Sequence, residues 1–179
     1  MTAPSSLPLR LAASLGFVLL IAVCARLTVP MVPVPMTMQT WAVLLAGMVF
    51  GARWGGGAVL LYLALGLAGL PVFSDGASGV GPLTGPTAGY LFAFPLAAAV
   101  AGALVRNARL RGILPATAGL FGLHLLILTL GAGWLAVGIG VPAALAAGFT
   151  PFLIGGAVKS LLVVLAARAL TAMPGLRRG

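Results

Sequence analysis

The chain has 179 residues, 61% of them hydrophobic and 6% charged, with a mean hydropathy of +1.21. Soluble domains carry about a quarter charged residues, so these values exclude a water-soluble globular protein and predict an integral membrane protein without an attached soluble domain. The formal charge of +9 does not indicate a nucleic-acid partner, because the arginines stand singly between apolar segments instead of forming a basic face interleaved with polar or aromatic residues.

A helix needs about 20 apolar residues to cross a bilayer. The runs near 9–28, 38–51, 55–72, 88–105, 113–139 and 150–171 predict an all-α, polytopic fold of six transmembrane helices in a single domain, residues 1–179. Arg10, Arg53, Arg106, Arg109, Arg111, Arg168, Arg177 and Arg178 fall at alternate ends of these runs if both termini are cytoplasmic, as the positive-inside rule expects. The first run contains "LIAVC", which resembles a lipoprotein attachment site, but Val23 stands where a small residue is needed. It reads as a retained helix. Ala12 and Gly16, spaced i, i+4 beside Ala13, give this helix a small-residue face on which another helix could dock closely. Cys24 is the single cysteine, which excludes an internal disulfide; it reads as an apolar filler, and no metal cluster is expected.

Three connections then lie on the outer side: residues 29–36, 73–87 and 140–149. In the first, Pro30, Pro33 and Pro35 enforce extended backbone. The second is rich in Gly, Ser and Thr and too long for a simple turn. The second, fourth and sixth helices start on this side, each with a threonine at or beside its start: Thr37, Thr87 and Thr150. These are expected as ordinary caps. Together they bring three helix N-termini to one surface, where unpaired N–H groups favour an anionic or carbonyl-bearing ligand. The second helix, about 14 residues or roughly 21 Å long, leaves the proline segment at membrane depth, which is tolerated only where protein or a cavity surrounds it.

Lys159 follows Thr150 by nine positions, roughly 13 Å along the last helix. A cation at that depth costs a few kcal/mol unless paired. The one carboxylate side chain, Asp75, lies in the second outer connection, so either that loop folds inward or the anion comes from a ligand, the preferred reading here. Arg26 sits where snorkelling is easy. His124 is expected to hydrogen-bond a neighbouring helix. Trp41, Trp54 and Trp134 read as interface anchors or packing residues, and Trp41, two residues after Gln39, could also wall a pocket. The sequence carries no phosphate-binding loop, zinc motif, serine elbow or carboxylate pair, so neither ATP hydrolysis nor other enzymatic catalysis is expected of this chain.

Four stretches, "VPVPMTMQTWAVLLAGMVFGARWG", "LYLALGLAGLPVF", "GPLTGPTAGYLFAFPLAA" and "PFLIGGAVKSLL", resemble the BioY family, the biotin-specific S components of energy-coupling factor (ECF) transporters. The resemblance covers most of residues 32 to 165 in the family's order. It implies a six-helix subunit of the bacterial cytoplasmic membrane that captures biotin from outside and uses no cofactor. It also implies work alongside a transmembrane T component and two ABC-type ATPases, with toppling in the bilayer to release the ligand. The face at Ala12 and Gly16 would then meet the T component. In that setting Thr37, Gln39, Thr84, Thr87 and Tyr90 would supply hydrogen bonds to the ureido ring, Phe73 and Trp41 would wall the bicyclic system, and Lys159 would meet the valerate carboxylate. One position departs from the family's pattern: Gly156 replaces the acidic residue common three places before the lysine. A different carboxylate-bearing vitamin, or a structural subunit that binds nothing, are the competing readings.

Overall fold

The computed structural model describes residues 6–105, 107 and 112–172, with Thr171 described in its backbone alone. Arg106, Arg109, Arg111, Arg177 and Arg178 lie outside the described residues. The described chain forms α1 (Leu7–Arg26), β1 (Thr28–Val29), β2 (Met36–Thr37), α2 (Gln39–Leu67), a 3-10 turn (Ser74–Gly76), α3 (Gly81–Thr84), α4 (Ala88–Leu104), α5 (Ile113–Ile139), α6 (Val141–Gly148) and α7 (Phe152–Ala172). Four of these, α1, α2, α5 and α7, are long and apolar enough to cross a membrane, and α4 is a shorter apolar helix.

The two helices expected over 38–51 and 55–72 are present as the two halves of α2, with a connection of one residue in place of the expected three. In α2 the helical geometry breaks at a single residue, Gly51, whose φ of 83° and ψ of 171° lie in a region open to glycine and costly for other residues. In a straight helix Gln39 and Tyr62 would stand about 35 Å apart, yet their side chains hydrogen-bond at 2.6 Å. The two halves, residues 39–50 and 52–67, therefore run antiparallel. A Cβ on Gly55 would stand 2.7 Å from the Ala46 carbonyl oxygen, so only glycine permits the halves to meet so near the reversal. α4 closes over this hairpin: Gly47 packs on the backbone of Ala98, and Gly102 on the backbone of Gly51 and Ala52.

Two further expectations need correction. The fold is mostly helical but not purely so, since β1 and β2 pair antiparallel with Thr28 opposite Thr37; the proline-rich segment is extended as expected, and this small ribbon pins its two ends together. The 140–149 connection is largely the helix α6, begun by Gly140 at a φ of 82°.

The interior is filled by Ile21, Val43, Leu44, Val59, Tyr62, Leu120, Ile127 and Val163. Cys24 is buried and unbonded, as an apolar filler should be. Large apolar side chains cover the outside as well: Leu11, Leu15, Leu19 and Val23 on α1, Leu114 and Val137 on α5, and Ile154 on α7 are all exposed. Such a surface would aggregate in water and suits a lipid environment. Ala12 and Gly16 lie on the exposed side of α1, and a Cβ on Gly16 would touch nothing. At the Gly51 end of the bundle, the Arg10 guanidinium sits 5.5 Å over the Trp54 ring.

Candidate functional site

The starts of α2, α4 and α7 converge, as expected from the threonine pattern, and the Thr37 hydroxyl oxygen accepts from the Gln39 backbone N–H, the first of α2, at 3.2 Å. The residue just before each of α2 and α4, Met38 and Thr87, makes no side-chain cap of its own. The Thr87 hydroxyl instead donates to the Pro82 carbonyl at 2.9 Å, and Thr150 is exposed. What the three starts share is a cavity with about 670 Å³ of empty space, part of it open to solvent. Gln39 and Thr40 enter it from α2, Tyr90 and Leu91 from α4, and Phe152 from α7. His124, Ile127 and Leu128 form a wall from α5, while Val34, Pro35, Phe73 and Pro82 approach from the connecting segments.

Six predicted residues line this cavity together: Thr37, Gln39, Phe73, Thr87, Tyr90 and Lys159. Two do not. Trp41 points away from it and packs, half-buried, against the core, with its indole N–H buried and without a partner. Thr84 is exposed; its hydroxyl donates to the Val80 carbonyl at 3.2 Å, and it borders a separate cleft beside Trp134. The physical reason is helical phase: Trp41 falls on the opposite side of α2 from Gln39, and Thr84 ends the one-turn α3 facing outward.

Lys159 lies seven residues beyond Phe152, about 10 Å along α7, and is only 9% exposed. Its Nζ donates to the Thr37 carbonyl oxygen at 2.6 Å. Among the described residues no carboxylate pairs with it. Asp75 is exposed, so the loop does not fold inward to neutralise the lysine. A backbone carbonyl supplies a dipole, not a charge, and the ammonium keeps two protons for another acceptor.

Several cavity residues spend their polar groups on holding the site. The Gln39 Nε2 donates to the Tyr62 hydroxyl at 2.6 Å, Tyr62 donates to the Val72 carbonyl at 3.0 Å, and the Thr37 hydroxyl donates to Gln39 Oε1 at 2.9 Å. This chain ties the proline segment to the second half of α2 and to the loop bearing Phe73, whose ring meets Tyr62 edge-on at 5.5 Å. Arg26 serves the same loop, donating to the Pro71 carbonyl at 2.7 Å. Tyr90 donates to the Gly148 carbonyl at 2.7 Å, so it offers the cavity its ring while its hydroxyl proton anchors α6. Tyr62→Phe leaves the buried Gln39 amide and the Val72 carbonyl unpaired; we expect a loss of about 1–3 kcal/mol, read by thermal unfolding in detergent, with no loss if these groups find other partners.

The sequence profile of the BioY family matches residues 2–175. A probable biotin transporter BioY of Pyrococcus horikoshii is 38% identical over 154 residues, covering 86% of this chain and 91% of that protein. Biotin transporter BioY2 of Lactococcus lactis is 39% identical over 153 residues, covering 84% of each. The chain belongs to the BioY family. A crystal structure of the S component for biotin from an ECF-type ABC transporter shares the fold, with a TM-score of 0.81 at 25% identity over 92% of this chain and 91% of that one.

In this BioY-family chain, sequence reasoning missed Thr40, Phe94 and Ser74 as cavity residues. It read His124 correctly as a helix-to-helix bond, to Thr40 of α2 and Ser160 of α7, without seeing that the ring also faces the cavity. Thr40 follows Gln39 directly, but Thr37 belongs to β2 and α2 begins only at Gln39, so no helical spacing from Thr37 could have placed Thr40 in the cavity.

Proposed function

We propose that this chain is the biotin-binding S component of an ECF-type transporter, capturing biotin on the outer side of the bacterial cytoplasmic membrane. A transmembrane T component and two ABC-type ATPases supply the energy, and no cofactor takes part. Six spans follow from counting α1, the two halves of α2, α4, α5 and α7, with both termini cytoplasmic. Arg10 and Arg53, near the Gly51 end and away from the cavity, support that orientation. The exposed face at Ala12 and Gly16 is the proposed contact with the T component.

One observation carries the ligand reading: a buried ammonium without a protein carboxylate among the described residues, set in a cavity walled by Phe73, Phe94 and Phe152. An apolar ligand with one anionic end satisfies both halves of that description. The names of the relatives narrow it to biotin. Lys159 is assigned to the valerate carboxylate, while Phe73 and its neighbours take the bicyclic ring. Gly156 at the family's acidic position favours testing a second reading, another small vitamin with a carboxylate.

The test is equilibrium binding of labelled biotin to the purified protein in detergent, with competition by biotin methyl ester and by other carboxylate vitamins. Saturable binding at one site per chain, with the ester at least tenfold weaker, is the expected result. An ester that competes as well as biotin would remove the carboxylate from Lys159 and leave the lysine to another ligand oxygen. Displacement by a different vitamin at lower concentration than biotin would replace the ligand.

A further inference from the structure

From the cavity wall back into the bundle runs a chain of three polar side chains to which the proposed function gives no ligand contact. Ser160 is fully buried, His124 is 3% exposed, and Thr40 reaches the cavity. The two backbone carbonyls among their partners, which can only accept, point to one arrangement of the protons. The Ser160 hydroxyl donates to the Gly156 carbonyl one turn back, at 2.8 Å. A hydroxyl has one proton, so Ser160 Oγ can only accept from its other neighbour, His124 Nδ1 at 2.9 Å. The Leu120 carbonyl, 3.3 Å from the same nitrogen, is also an acceptor and demands the same arrangement. Nδ1 therefore carries the ring proton. A neutral ring, the form suited to an apolar wall with no carboxylate among the residues lining the cavity, then has a bare Nε2. That nitrogen lies 3.2 Å from Thr40 Oγ1 and must accept its proton.

We infer that this relay turns Thr40 into a fixed hydrogen-bond acceptor at the cavity wall, reading an N–H group of the ligand. With its proton held from behind, Thr40 Oγ1 presents lone pairs alone to the cavity. A ligand donor is matched there, and a ligand carbonyl or ether oxygen is rejected because it meets lone pairs without a proton between them. In the biotin reading, on which this assignment rests, the matching donor is a ureido N–H. The relay takes over an accepting role that no carboxylate fills among the cavity residues. Gly156 adjoins it: a Cβ there would lie 3.4 Å from His124 Cβ and 3.6 Å from its Cγ, in ordinary van der Waals contact.

His124 is the one histidine in the sequence, which makes the relay directly observable. In tag-free protein labelled with nitrogen-15 histidine, we expect an Nδ1-protonated neutral ring; a proton on Nε2, or on both nitrogens, overturns the inference. Binding supplies the second measurement. Thr40→Val keeps the shape and loses the acceptor, and should weaken biotin about tenfold, while Thr40→Ser stays within about threefold. A biotin analogue methylated on both ureido nitrogens should bind the parent and Thr40→Val equally. Biotin bound by Thr40→Val as tightly as by the parent, or an equal loss for biotin and analogue, sinks the N–H assignment even though the protein binds biotin. Failure of the parent itself to bind biotin overturns the ligand reading instead, and the ring tautomer then decides the relay on its own.

Discussion

Lys159→Met lowers biotin affinity about a hundredfold while leaving the empty protein as stable as the parent or more so. The two halves of this expectation have separate causes. Among the described residues the ammonium has one hydrogen-bond partner, the Thr37 carbonyl at 2.6 Å, in a bundle where charge is costly. Methionine has nearly the same length without the charge, and replacing an unsatisfied buried ion with an apolar side chain is neutral or stabilising. With the ligand present, the same substitution strands a carboxylate inside the cavity, and truncating one side of a buried charged pair costs about 2–5 kcal/mol. Binding isotherms and melting curves on the same preparations measure both. A variant that binds normally would remove Lys159 from the site; one that loses binding only because it melts earlier would make the lysine structural.

Gly47→Ala is expected to destabilise the protein by about 3 kcal/mol, the upper part of the overpacking range. The added methyl would run into the carbonyl of Ala98, and backbone on α4 cannot step aside as a flexible side chain can. Gly57→Ala is the matched control: no atom stands within 4 Å of its Cβ position, and alanine is favoured over glycine in a helix by about 1 kcal/mol. Two identical changes ten residues apart, on the two halves of the same hairpin, should thus shift the melting temperature in opposite directions. Equal shifts would mean that α2 and α4 are not in backbone contact at Gly47.

The helical character and the cavity positions of Thr37, Gln39, Phe73, Thr87, Tyr90 and Lys159 were legible because they depend on local facts. Apolar run length marks helices, and a lone lysine in an apolar run marks a place where a charge needs an explanation. The extended proline segment followed from the ring geometry of Pro30, Pro33 and Pro35. What stayed hidden depends on rotation and on partners far away in the chain. Whether Trp41 or Thr40 faces the cavity is decided by the phase of α2 against α5, and both are equally plausible by type. Gly51 looked like one glycine among 26; only its backbone angles reveal the reversal. The proton order in the relay needed three helices in register, since Thr40 and His124 are 84 residues apart.

The reversal at Gly51 has a mechanical meaning. Because the two halves of α2 are joined by one residue and α4 rests on them backbone to backbone at Gly47 and Gly102, these three pieces of the wall are expected to move as one block. An opening wide enough to admit a molecule is expected at the segments 27–38 and 68–87, which are held by separate side-chain tethers: Lys159 to Thr37, Arg26 to Pro71, and Tyr62 to Val72. The segment bearing Thr37 is thus tied down by the same ammonium that the proposed function assigns to the ligand carboxylate, so tether and ligand would compete for one group.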